Sequence, residues 1–113
     1  MSFSVYSSVL NLDTLNITAK IPGTPVTSTI SLTANTVAEL VAVKANTNGR
    51  NVFIKNRSNV PVHLILDPTK NTVANAAFSV EPGDTVMLTI GASKLQAIAE
   101  SVADISVTLV ELV

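Results

Sequence analysis

The sequence contains no cysteine and no tryptophan, and it has only one histidine, one tyrosine and three phenylalanines among 113 residues. Without cysteine the chain forms neither disulfides nor thiolate metal sites, which fits synthesis in a reducing cytoplasm. With so few aromatic side chains it offers little of the stacking surface on which sugar-binding modules and single-stranded nucleic-acid binders depend. These shortages disfavour a disulfide-stabilised domain, a zinc or iron site and a carbohydrate-binding module.

Charge is also scarce. Only 13% of the residues are charged while 47% are apolar, and the formal net charge is −1; an isolated soluble domain carries roughly twice that charged fraction. There is no basic field to attract nucleic acid or an anionic membrane, and no apolar run approaches the roughly 20 residues of a membrane span. A weakly charged surface rich in Thr and Asn tends to associate, so we expect much of it to be covered in the working state. The alternative is a monomer kept in solution by its hydroxyl and amide groups.

Catalytic chemistry lacks its usual components. The histidine, His63, stands between Val62 and Leu64, where strand alternation predicts a surface or interface position rather than a catalytic base. The sequence contains no Gly-x-Ser-x-Gly elbow, no phosphate-binding glycine loop and no His-Glu-x-x-His motif, and its acidic residues are scattered. We therefore expect no enzyme activity and no catalytic, cofactor-binding or metal-binding residues.

Period-two alternation of apolar residues, typical of half-buried strands, runs through most of the chain after Thr27. Glu81-Pro82-Gly83-Asp84 predicts a turn in which Pro sets φ and Gly supplies a positive φ, and Asn48-Gly49 suits a type I′ turn. Residues 37–43 are ambiguous between a strand and one helical turn. Short strands separated by turns predict an all-β fold, an antiparallel β-sandwich or jelly-roll-like domain. The apolar stripes are Ile30 and Leu32; Val52 and Ile54; Val62, Leu64 and Leu66; Ala76, Phe78 and Val80; Val86, Leu88 and Ile90; Leu95, Ala97 and Ala99; and Ile105, Val107, Leu109 and Val113.

The first 25 residues differ from the rest. The alternation changes parity near Asp13-Thr14, and Pro22 and Pro25 flank a glycine, which excludes a central strand there. We predict an N-terminal arm or hairpin over residues 1–25 and a β-sandwich domain over residues 26–113. The arm either pairs with the open sheet edge of a neighbouring subunit or forms the first hairpin of the sandwich.

Residues 30–113 resemble small structural proteins of tailed bacteriophages, namely head decoration or cement proteins and related fibre modules. The resemblance covers about three quarters of the chain, and the sequence departs from it at Gln96, where such modules often carry Tyr. It rests on these segments: Ala45-Asn46-Thr47-Asn48-Gly49-Arg50, Val52-Phe53-Ile54-Lys55-Asn56, Pro61-Val62-His63-Leu64, Val80-Glu81-Pro82-Gly83-Asp84-Thr85-Val86, Leu95-Gln96-Ala97-Ile98-Ala99 and Ile105-Ser106-Val107-Thr108-Leu109-Val110-Glu111-Leu112.

The resemblance implies a virion structural protein that binds the major capsid protein on the outer surface of the head shell and stabilises it, as a homotrimer. It would be synthesised in the host cytoplasm, and we expect no cleaved signal peptide, no nucleic-acid partner and no membrane partner. Two alternatives stay open: a fibre, spike or tail module of a phage, and a cellular adhesin-type carbohydrate-binding sandwich. The predicted interface residues are the apolar side chains that alternation directs away from the core, with a core position as the alternative for the last two: Phe3, Val5, Tyr6, Ile65 and Met87.

Overall fold

The computed structural model describes residues 22–113. Every regular element in that range is a β-strand, so the predicted all-β class is confirmed. Residues 37–43, ambiguous in the sequence, contain a short strand with a bulge between Glu39 and Val41. The β-branched valines at this place favour extended backbone over a helical turn. The eight strands are β1 (Val26–Leu32), β2 (Ala38–Val41), β3 (Arg50–Asn56), β4 (Val62–Ile65), β5 (Phe78–Val80), β6 (Thr85–Ile90), β7 (Leu95–Ile98) and β8 (Ala103–Glu111).

The strands form two four-stranded sheets in which all neighbours are antiparallel. Sheet one has the order β1-β8-β3-β6, and sheet two has the order β2-β7-β4-β5. A tight turn over residues 81–84 joins β5 to β6 and places these two edge strands one above the other. The opposite edges, β2 and β1, therefore lie together on the other side. This arrangement is a β-sandwich with the strand order of a jelly roll, as the sequence predicted.

The core lies between the inner faces of the two sheets. Val52, Ile54 and Ile105 contribute from sheet one, and Leu64 and Leu95 contribute from sheet two; all five are completely buried. Burying a side chain of this size stabilises the fold by about 1.5–3 kcal/mol. The alternation that predicted the strands thus also identifies most of the residues that hold the sheets together, although Leu66 and Val113 of the predicted stripes are 41% and 65% exposed.

Two buried polar side chains lie at opposite ends of β3. Arg50 begins the strand and donates to the carbonyl oxygens of Ala42, Gly91 and Ser93. Asn56 ends the strand and is bonded through both its amide nitrogen and its oxygen. Because all of these bonds except the one to Val80, the last residue of β5, reach a connecting segment, β3 fixes loops at both ends of the sandwich.

One of the two turns predicted from the sequence is confirmed, and the other is not. Gly83 has φ 81° and the N–H of Asp84 donates to the carbonyl of Glu81 at 3.0 Å, as the predicted Pro-Gly turn requires. The prediction of a type I′ turn at Asn48-Gly49 is wrong. In that connection the positive φ angles belong to Asn46 (59°) and Gly49 (117°). A two-residue hairpin turn does not apply because β2 and β3 lie in different sheets, so the connection crosses between them.

The described part begins against the end of β8. Pro22 forms an isolated antiparallel bridge with Leu112, and the N–H of Gly23 donates to the carbonyl of Glu111 at 2.6 Å. A side chain at Gly23 would place its Cβ 2.8 Å from that same carbonyl oxygen, so the close approach requires glycine. The remainder of the predicted arm, with Phe3, Val5 and Tyr6, lies outside the described residues.

Candidate assembly surface

The outer face of sheet one is a broad surface with very little charge. Strand alternation and the pairing register identify its members, and among them only Lys55 and Asp104 are charged. Hydroxyl and amide side chains make up most of the others. The outward residues are Thr27, Thr29, Ser31, Asn51, Phe53, Lys55, Thr85, Met87, Thr89, Asp104, Ser106 and Thr108; Val110 points to the same side but is only 8% exposed.

Phe53 and Met87 form an apolar patch on the part of this face next to the edge strand β6. They are direct cross-strand partners between β3 and β6. Phe53 is 39% exposed and Met87 is 54% exposed, although both belong to residue types that are usually buried. An aromatic ring beside a thioether, surrounded by small polar groups, is the composition of an anchoring point in a protein interface.

Hydrogen bonds between side chains hold the polar groups of this face in place. The hydroxyls of Thr27 and Thr108 are 2.8 Å apart across β1 and β8, and the Thr89 hydroxyl donates to Oδ1 of Asn51 at 2.9 Å. At the far end the Ser31 hydroxyl donates to the carboxylate of Asp104 at 2.5 Å. Because these side chains already bond one another, covering the face leaves fewer polar groups to be desolvated without a partner.

The outer face of sheet two has a different character. His63 is half-buried, and its Nδ1 lies 2.6 Å from the Ser79 hydroxyl. Ile65 and Ile98 lie on the same face by alternation, yet only 1% and 6% of their surfaces are exposed, and neither belongs to the main core cluster. The expectation that Ile65 is available to a partner is therefore wrong. The core alternative raised from the sequence fits better, because this sheet is covered on both faces at Ile65.

The predicted interface residues thus have different outcomes. Met87 is exposed on the outer face of sheet one, in its edge strand β6, whereas Ile65 is buried. Phe53 was not among the predicted interface residues. The sequence does indicate that Phe53 points outward, because it lies between the core residues Val52 and Ile54 on a strand.

A shallow depression of about 260 Å³ lies where β3 ends, close to the turn between β5 and β6. Lys55 and Arg57 are exposed there, while the Asn56 amide is buried and fully engaged in hydrogen bonds. Among residues 22–113 no group of three or more His, Asp or Glu side chains is arranged to hold a metal ion. The depression is lined by Lys55, Asn56, Arg57, Ser58 and Gly83.

Asp67 has a perturbed titration. The N–H of Thr69 donates to its Oδ1 at 3.0 Å and the Thr69 hydroxyl donates to the same oxygen at 2.7 Å. These two bonds, with a smaller contribution from Lys70, lower the pKa of Asp67 below its usual 3.8. The arrangement is a local turn at the start of the loop between β4 and β5, and it stabilises the charged carboxylate.

No protein-family model and no curated protein matches this chain. Among solved structures, a chain of the Bacillus endospore appendages, described as a novel family of disulfide-linked pili, is similar with a TM-score of 0.46 and 14% sequence identity. The similarity covers 84% of this chain and 91% of that chain. The 113 residues of the present sequence contain no cysteine. Within residues 22–113, no helix has the length and apolarity needed to cross a membrane.

Proposed function

We propose that this protein is a non-enzymatic structural subunit that attaches to a larger assembly through the outer face of sheet one. The observation that carries the proposal is the exposed Phe53–Met87 pair on a face with only two charged side chains. A partner that covers this face removes an aromatic ring and a thioether from water and desolvates little charge, which is the favourable balance for a stable contact.

The assembly that we propose is the head shell of a tailed bacteriophage, with this protein as a decoration or cement protein bound to the major capsid protein. The resemblance of residues 30–113 to such proteins supports this choice, and so does the low charge of the chain. A protein of this kind stabilises a shell by making modest contacts with several shell subunits at once, because linked contacts add through multivalency. Three copies around a local three-fold axis would suit such a lattice.

The first test is the number of copies per particle, measured by quantitative mass spectrometry on purified virions from the source. A decoration protein is present in hundreds of copies, in simple ratio to the main shell protein. A dozen copies or fewer would replace the proposal with a fibre, spike or tail component. Absence from virions would overturn a virion role and favour a cellular binding module.

The second test asks whether the outer face of sheet one makes the contact. Phe53→Ser combined with Met87→Thr removes the apolar patch and leaves both strands intact. We expect binding of the purified protein to shells stripped of it to fall by about tenfold or more, the effect of losing an interface anchor. Val102→Thr is the matched control, because Val102 is 69% exposed and lies in the connection between β7 and β8. Equal binding by both variants would show that a different surface makes the contact.

A further inference from the structure

The hydrogen bonds at the strand ends show which backbone N–H and C=O groups point outward along the two edges of sheet one. The N–H of Asn56 donates to the carbonyl of Asp84 at 3.0 Å, so this pair of residues is of the hydrogen-bonded kind. Hydrogen-bonded and non-hydrogen-bonded pairs alternate along an antiparallel ladder. The pairs that Thr85, Met87 and Thr89 of β6 form with β3 are therefore non-hydrogen-bonded. The backbone N–H and C=O groups of these three residues point away from β3, toward the open edge.

The same reasoning applies to the opposite edge. The N–H of Arg57 donates to the carbonyl of Asp104 at 2.9 Å, so alternate residues of β8 from Asp104 onward bond β3. The β8 residues that lie between those residues form hydrogen bonds with β1 instead. The β1 residues with which they pair have even sequence numbers. Consequently Thr27, Thr29 and Ser31 direct their N–H and C=O groups away from β8. Within residues 22–113 no strand pairs with either of these two edges.

Both edges lack the features that normally prevent edge-to-edge pairing. Edge strands are usually protected by charged side chains, by proline or by being very short. The seven residues of β1 and the six residues of β6 contain no charged residue and no proline. In contrast, the edge strands of sheet two have four and three residues, and β2 carries Glu39.

From these observations we propose that the β6 edge of one copy of this protein pairs with the β1 edge of a second copy, head to tail, to extend sheet one. Because sheet one has four strands that alternate in direction, β1 and β6 run antiparallel, and a second copy in the same orientation presents β1 antiparallel to β6. The partner is another copy of this chain, whatever assembly the protein belongs to, so the inference does not rest on the proposed function.

The side chains favour one register, in which Thr29 of one copy lies opposite Met87 of the next. All three free residues of each edge then find partners, which gives roughly six backbone hydrogen bonds. On the inner side Ser28 lies opposite Leu88, so a small residue faces a large one. Val26, 64% exposed in the single chain, lies opposite Ile90. An isologous contact of β6 with β6 centred on Met87 instead places Met87 against Met87 and leaves Val26 uncovered.

Sedimentation velocity on a concentration series of the full chain tests the inference. The wild type is expected to grow beyond the mass of a dimer, since a head-to-tail contact repeats until it closes or continues as a filament. Met87→Pro and Thr29→Pro each remove one edge N–H without removing a hydrogen bond inside the sheet. Each variant alone should be monomeric, while an equimolar mixture should form a dimer and nothing larger, because each variant retains one intact edge.

Several results would overturn the proposal. A wild type that is monomeric throughout the series contradicts it, and so does an unchanged mass for both variants. Dimerisation of Thr29→Pro by itself would show β6-to-β6 pairing instead. Phe53→Ser leaves both edges intact but reduces shell binding under the proposed function, so failure of the edge contact and failure of the face contact are distinguishable.

Cysteine cross-linking keeps the inference testable if a proline variant fails to fold. The chain has no cysteine of its own, so introduced thiols are unique. Thr29→Cys mixed with Met87→Cys should form a disulfide between copies, because opposed residues at about 5.5 Å between Cα atoms suit disulfide geometry. Thr108→Cys mixed with Met87→Cys is the control, since β8 is a central strand. Efficient cross-linking of the control pair instead of the edge pair would show that the faces stack and would contradict edge pairing.

Discussion

Arg50 donates two hydrogen bonds from its guanidinium to the carbonyl oxygen of Gly91, from Nε at 3.1 Å and from Nη2 at 2.5 Å. The same guanidinium donates to Ala42 at 2.7 Å and to Ser93 at 2.9 Å. Ala42 follows β2, whereas Gly91 and Ser93 connect β6 to β7, and both connections pass between the two sheets. One buried cation thereby fixes two crossings at the same end of the sandwich.

Arg50→Lys should destabilise the fold although it keeps the charge. A lysine ammonium cannot reproduce the planar fork that reaches three carbonyl groups, so at least one buried acceptor loses its donor. We expect a decrease of about 2–3 kcal/mol in the free energy of unfolding, measured by urea denaturation. Arg57→Lys is the control, because Arg57 is exposed and its change should stay within about 0.5 kcal/mol. Equal stability of the two variants would mean that the buried guanidinium contributes little.

Asn56→Asp tests the other end of β3 and has a definite pH dependence. Nδ2 of Asn56 donates to the carbonyls of Val60 at 2.7 Å and Val80 at 2.9 Å, and a carboxylate would place negative charge against both. Burial and these carbonyls raise the pKa of an aspartic acid at this site above its unfolded value. The free energy of unfolding of the variant is therefore lowered most at neutral pH. The penalty should be about 3 kcal/mol there and should shrink as the pH falls through that raised pKa.

The measurement is urea denaturation of wild type and Asn56→Asp at several pH values. Asn59→Asp serves as the control, because Asn59 is exposed in the next turn. A difference between Asn56→Asp and wild type that stays constant from neutral to acidic pH would contradict a buried charge as the cause.

Much of this fold was predictable from local pattern. The alternation of Val52 and Ile54 with Phe53 and Lys55 determines which side of β3 is buried, and the same holds for β6 and β8. Pro82-Gly83 likewise defines its turn, because the turn depends only on the dihedral preferences of those two residues. These features are set by interactions between residues that are close in the chain.

Features that depend on distant parts of the chain were not predictable. Ile65 alternates outward from its strand, and no neighbouring residue in the sequence shows that its face is covered. Nothing in the sequence shows that Arg50 and Asn56 are buried, since carbonyl groups that they bond lie up to 43 residues away, as Ser93 does from Arg50. The type I′ prediction at Asn48-Gly49 failed for the same reason, because the sequence does not show that the flanking strands lie in different sheets.

Thr69→Val should move the titration of Asp67 in a defined direction. The backbone N–H of Thr69 makes the larger contribution to the lowered pKa and survives the substitution, while the side-chain hydroxyl bond is lost. The pKa of Asp67 should therefore rise part of the way toward 3.8. In the wild type the lowered pKa adds stability above pH 3.8 that is lost as the pH falls through the folded value, and Thr69→Val should reduce this acid-side dependence. NMR titration of the Asp67 carboxyl, with Thr36→Val in another loop as the control, measures the shift. A lower or unchanged pKa would contradict the hydroxyl contribution.

Gly83 and Gly91 form a matched pair for testing backbone conformation. A methyl group at either position meets no atom within 4 Å, so steric crowding contributes nothing to the comparison. Gly83 has a φ of +81°, where an L side chain is strained, whereas Gly91 has no positive φ. Gly83→Ala should therefore lower the free energy of unfolding by about 1 kcal/mol. Gly91→Ala should be neutral or stabilising by about 0.4–1 kcal/mol, because alanine reduces the entropy of the unfolded chain. Thermal and urea denaturation of both variants measure the difference, and a Gly83→Ala protein as stable as Gly91→Ala would show that the turn between β5 and β6 tolerates a different conformation.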